Sequence, residues 1–299
     1  MWSLERPAHS ARSTFTTCIS RVRNPDLAAR LTAATPTIVG ASEQFDRAAR
    51  RSRLHEIGAH DTVLPDVTVS EMEKVYTQRM AKSGAPGRDI YDEIFASSPA
   101  GRCPLCMQRS VATLDHHLPK AHFPSLAVAP LNLIPACSDC NKAKLDVVPT
   151  TAEEVPLHPY YDELGDEIWL NALVIKRRPT ALRFVVTRPN GWTDILSNRV
   201  DNHFRSLGLA ALFASEAAEE LLNIRHQLSV LRDADPENGV RNELERRATS
   251  CAAARPNGWR AAAYRAWFGS DWFCGGGFLM AGSIQGASRR PRGCGQRPD

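Results

Sequence analysis

Two C-x2-C pairs, Cys103-Pro-Leu-Cys106 and Cys137-Ser-Asp-Cys140, constrain this 299-residue chain more than any other feature. A two-residue spacer lets both thiolates of a knuckle reach one tetrahedral ion, so the pairs predict a four-thiolate structural zinc site. Residues 107–136 separate the knuckles. That gap is too long for a bare turn, so a folded element is expected between them. Eight cysteines could form disulfides in a small secreted protein, but the start has no uninterrupted apolar run of the export type. Cys18, Cys251, Cys274 and Cys294 are scattered, and no role is assigned to them.

The gap itself divides into readable parts. VATLD (111–115) is strand-like, a proline-interrupted loop follows, and LNLIP (131–135) is a second short strand. After Cys137 the run SDCNKAK starts a helix, with Ser138 the expected N-cap. The predicted order is strand, loop, strand, helix, closed at both ends by zinc ligands. On that helix Cys140 and Asn141 are neighbours about 100° apart around the axis, so they face different objects. If Cys140 faces zinc, Asn141 faces the hairpin, whose first strand ends in Asp115-His116. A carboxylate, an amide oxygen and a histidine in one groove suit a hard cation beside a general base. Strict alternation would separate Asp115 from His116 unless the strand ends there, and Pro119 makes that ending reasonable.

At these residues the sequence resembles the HNH endonuclease family, whose pattern C-x2-C, Asp-His, Asn-Leu, C-x2-C-Asn-x2-Lys stands here in order over residues 103–144. The resemblance implies an α+β protein with a zinc-stapled ββα-metal core. His116 would be the first signature histidine, Asn132 the middle asparagine and Asn141 the final member, where many relatives carry histidine. By position, Asp115 and Asn141 would hold Mg²⁺ or another hard divalent ion, and His116 would activate water as general base. Asn132 would hold the loop that orients His116, and Cys103, Cys106, Cys137 and Cys140 would keep a structural zinc with no open coordination position. The implied activity is one-metal hydrolysis of nucleic acid, with DNA the expected partner.

A softer resemblance of LDHHLPK, FPSLAVAPLNLIPACSDCNKAK and LHPYYD to a group of bacterial HNH proteins implies antiviral defence with a protein partner such as an ATPase. The alternative reading is a zinc-dependent nucleic-acid-binding or interaction module that does not cut. A third is a zinc knuckle supporting a protein interface.

Bland readings apply to the nearby residues. His117 should point away from the groove, His122 should be an exposed loop residue, and His158 should pack within HPYY. Lys120, Lys142 and Lys144 could meet phosphate but are expected to be solvated. Trp259, Tyr264, Trp267 and Trp272 could stack on bases, but their spacing fits the apolar face of a helix.

Around this core, 1–85 reads as a mostly helical region and 86–160 as the nuclease core. A β-hairpin is expected in 161–200, a helical region in 201–280 and a disordered basic tail in 281–299. A hydrophobic content of 43% supports a real core without help from metal, while 37 basic against 33 acidic residues leave only +4, too little to identify a nucleic-acid binder. No stretch approaches the roughly 20 apolar residues of a spanning helix, so no membrane is expected and the chain reads as cytoplasmic.

Overall fold

The computed structural model describes residues 1–63 and 66–280. The tail expected at 281–299 lies outside them. The protein is α+β, and the chain divides into two compact units, one of residues 1–169 and 188–209, the other of 170–187 and the described residues from 210 onward. Among the described residues, no helix is long and apolar enough to cross a membrane.

The first unit opens with α1 (Ala11–Ile19), α2 (Pro25–Ala33) and α3 (Thr35–Ala49). Each start reflects local chemistry. Ser10 caps α1 through its hydroxyl, and Asn24 caps α2 ahead of a proline in the first turn. A short pairing of β1 (Thr62–Val63) with β2 (Val67–Thr68) leads into α4 (Val69–Arg79), which begins with a reciprocal capping box between Thr68 and Glu71. Arg30 of α2 donates to Glu71 at 2.8 and 3.0 Å, and this pairing holds the Glu71 carboxyl down at about 2. Met72, Val75 and Tyr76 bury one face of α4, while Ile90, Tyr91 and Ile94 do the same for α5 (Arg88–Ala96).

These faces pack in one core with Leu114 and Leu133 of an antiparallel pair, β3 (Thr113–His116) and β4 (Leu133–Ala136). The register sets Asp115 opposite Ile134 and His116 opposite Leu133. All four β4 residues are buried, so this hairpin is covered on both faces instead of alternating inside and outside. The helix α6 (Ser138–Lys144) follows directly. Its cap differs from expectation: Cys137, not Ser138, is the N-cap, because its sulfur accepts the Cys140 N–H at 3.4 Å. The first unit is completed by α7 (Asp194–Ser206), whose buried Arg199 clasps Asp162 through both carboxylate oxygens at 2.6 Å.

The second unit holds the expected hairpin, β5 (Leu170–Ile175) against β6 (Ala181–Val186), together with nearly all of α8 (Leu209–Ala234), α9 (Gly239–Ala254), α10 (Trp259–Phe268) and α11 (Asp271–Cys274). Trp259, Tyr264 and Trp267 are buried on α10, and Trp267 stacks on Phe273 with ring centres 5.5 Å apart. Their spacing therefore serves packing. Trp272 is half-buried.

Candidate metal and hydrolytic site

The four knuckle cysteines converge as their spacing predicts. Their sulfurs all lie within 4.8 Å of one another and all four residues are buried. Zinc–sulfur bonds of about 2.3 Å in a tetrahedron require sulfur pairs near about 3.8 Å, and Cys106 stands 4.0 Å from Cys137. The backbone supplies the rest of a knuckle. Met107 takes a left-handed turn at φ 60°, its N–H donating to Cys103 O at 2.7 Å, and Arg109 N–H donates to the Cys106 sulfur at 3.4 Å. Hydrogen bonds of this kind favour thiolates, the form a metal needs. These cysteines could therefore bind a metal such as zinc.

Next to this cluster, Asp115, His116, Pro119, Lys120, Asn141, Lys142, Lys144, Leu145 and Asp146 line a groove of about 270 Å³. Asp115 and His116 reach it together although they are successive strand residues. His116 is the last residue of β3, so the strand ends where the two would diverge. Asn141 reaches the same groove from α6, one position past Cys140 of the cluster.

Each side chain is held. The His116 ring donates from Nε2 to Ala127 O at 2.8 Å and meets the Tyr76 ring edge-on with centres 4.4 Å apart. That bond selects the tautomer with its proton on Nε2 and its lone pair on Nδ1. Burial pushes the ring's pKa down to about 3, so His116 is neutral at neutral pH. Asp115 is 4% exposed, and burial raises its carboxyl to about 6 against the pull of the Lys144 ammonium. Its Oδ2 is buried and has no hydrogen-bond partner, leaving an acceptor with capacity for a donor or a cation.

Asn132 lies outside the groove. Fully buried, it accepts from Leu118 N–H at 2.7 Å and donates to the carbonyls of Leu118 at 3.0 Å and Leu126 at 3.3 Å. It clamps the loop between the strands. His117 turns away to Phe45 and to His158, whose ring centre is 4.3 Å from its own. His158 is buried and bonded to Leu131 O, while His122 is exposed and absent from the groove lining.

Lys144 departs from its expected solvated state. Its side chain is 10% exposed and its ammonium lies 3.4 Å from Asp115 Oδ1. Tyr76 was also invisible in the pattern, because α4 is far from the motif in sequence and no local spacing links them.

Among curated proteins the chain is similar to Protein ea31 of Escherichia phage lambda, 32% identical over 177 residues. The match covers 58% of this chain and 59% of that protein, so the chain spans less than two thirds of the relative's length. No family model and no solved structure matches. That name specifies no chemistry, so any function must rest on the geometry.

Proposed function

We propose that this chain is an HNH-type endonuclease that hydrolyses phosphodiester bonds of nucleic acid, DNA first. The observation that carries the reading is one groove lined by Asp115, His116 and Asn141 on a strand pair and helix tied beside a four-cysteine cluster. Zinc at the cluster is structural in this reading, since four thiolates leave no position for water.

Asp115 and Asn141 would hold a hard divalent ion such as Mg²⁺, and the unpartnered Asp115 Oδ2 fits that role. Such an ion, when bound, stabilises charge developing on the phosphate and the leaving oxygen. His116 Nδ1 takes a proton from the attacking water, with the ring kept in place by Ala127 O. A pKa of about 3 makes the ring a weak base, but an anionic phosphodiester entering the groove raises it. Lys120 and Lys142 at the groove offer contacts to flanking phosphates. Antiviral defence beside an ATPase partner is a further proposal, supported only by the sequence resemblance.

The Lys144–Asp115 pair favours a second reading, a zinc-stapled nucleic-acid-binding module, because the carboxylate already has a cation. The test is purified protein on plasmid and single-stranded DNA with Mg²⁺, Mn²⁺, Ni²⁺ or EDTA. Nicking or linearisation that needs a divalent ion is expected, and Asn141→Ala should lose activity that added Mn²⁺ partly restores. DNA retained but uncut under every ion would favour the binding module.

A further inference from the structure

Lys144 is the last residue of α6 and reaches back over the end of β3. Its ammonium donates to His116 O at 2.6 Å and to His117 O at 3.2 Å, and stands 3.4 Å from Asp115 Oδ1. Two carbonyls accept hydrogen bonds from the ammonium and the carboxylate oxygen adds an ion pair, so the charge is held by the chain itself. Both partners are nearly excluded from solvent, at 10% and 6% side-chain exposure. Oδ1 is thus engaged while Oδ2 of the same carboxylate has no partner. The position beside Asp115 is therefore already held by a cation belonging to the chain.

We propose that Lys144 is a resident counter-ion that a divalent metal must displace from Asp115, which makes it a positioning residue governing metal affinity in the groove. The inference rests on the reading of the groove as a divalent-ion site. An ammonium and a divalent ion on one carboxylate repel strongly enough to change affinity tenfold even with heavy screening. The same lysine ties the two carbonyls at the strand end, so displacement also frees the backbone that carries His116 and His117. Metal entry and the setting of the strand end are coupled through this one side chain.

The test is Mn²⁺ binding to full-length, zinc-replete protein, followed by calorimetry and by the electron paramagnetic resonance signal of free Mn²⁺. Lys144→Met should bind Mn²⁺ at least tenfold more tightly than wild type, and Lys144→Arg, which keeps the charge, should stay near wild type. Adding Asp115→Asn to Lys144→Met should abolish the gain, which locates it. Equal or weaker binding by Lys144→Met, or binding by neither protein, overturns the proposal. Should Lys144→Met lose its zinc or its fold, wild type alone decides through reductive methylation read by mass spectrometry. Lys144 should label faster when Mn²⁺ is added while Lys74 does not change, and a Lys144 rate indifferent to Mn²⁺ overturns the idea. DNA cleavage on the same samples separates the two claims. Tighter Mn²⁺ binding without cleavage upholds the counter-ion and sinks the nuclease, whereas cleavage with unchanged Mn²⁺ affinity does the reverse.

Discussion

The sulfur cluster and the oxygen-lined groove share one small scaffold, yet they are built on opposite principles. Four cysteines of one chemistry close around a point, all buried, with backbone N–H groups on two of the sulfurs. The groove mixes a carboxylate, an imidazole, an amide and lysines, and one buried carboxylate oxygen has no partner. Cys140 and Asn141 are adjacent on α6, yet they serve different sites. A closed set of identical ligands suits holding a fold, and an open, unevenly satisfied set suits chemistry. The fold fixes the scaffold once and uses its two sides differently.

The largest effect should come from breaking the closed side. Zinc binding in small metal-tied units is worth about 10–16 kcal/mol and is spent on folding, so Cys103→Ser should lose metal and unfold the region of β3, β4 and α6. Metal analysis should find about one zinc per wild-type chain and none in Cys103→Ser combined with Cys137→Ser. Stoichiometric zinc in that double variant would sink the four-thiolate site.

The next effect belongs to the groove and separates rate from stability. His116 and His117 are both buried, so replacing either by alanine should cost on the order of 2–3 kcal/mol in a denaturant midpoint experiment. Only His116→Ala should also lose about 10²- to 10⁴-fold in cleavage rate, with zinc retained, because only its ring lines the groove. An inactive, zinc-loaded His117→Ala beside an active His116→Ala would place the base one residue further along.

What could be read ahead of the structure divides along the same line. Cys103, Cys106, Cys137 and Cys140 were legible because two-residue spacers carry their own geometry, and Asp115, His116 and Asn141 because a short motif places them relative to those cysteines. The α+β class was implied by the family resemblance, and the hairpin of β5 and β6 followed from residue periods that survive in the fold. Lys144 was not legible, because its burial depends on where β3 ends beneath α6, and a lysine in a helical run reads as solvated. Ser138 yielded the cap to Cys137 because a cysteine sulfur turned toward the four-cysteine cluster also faces the first free N–H groups of the helix. Tyr76 enters through tertiary packing with a residue far away in sequence, whereas His158 packs against Tyr160 and Tyr161 as HPYY suggested.

The smallest effect concerns the groove's rim. Leu145 lines the groove with φ 52° and ψ −156°, and it is 64% exposed. A side chain in that region costs roughly 1–3 kcal/mol, and so much exposure recovers little by burial. Glycine adopts these angles freely, but it adds about 0.4–1 kcal/mol of unfolded-state entropy to be lost on folding. The strain exceeds that entropy, so Leu145→Gly should stabilise the protein by about 1 kcal/mol, a rise of about 2–4 °C in Tm for a unit of this size. The cluster offers no such gain, since none of its four cysteines has a positive φ. If the open side keeps a strained leucine for contact with substrate, Leu145→Gly should gain stability and at the same time retain DNA less well in a filter-binding titration. A lower Tm would show that the leucine is held by packing and that the groove's rim stores no strain.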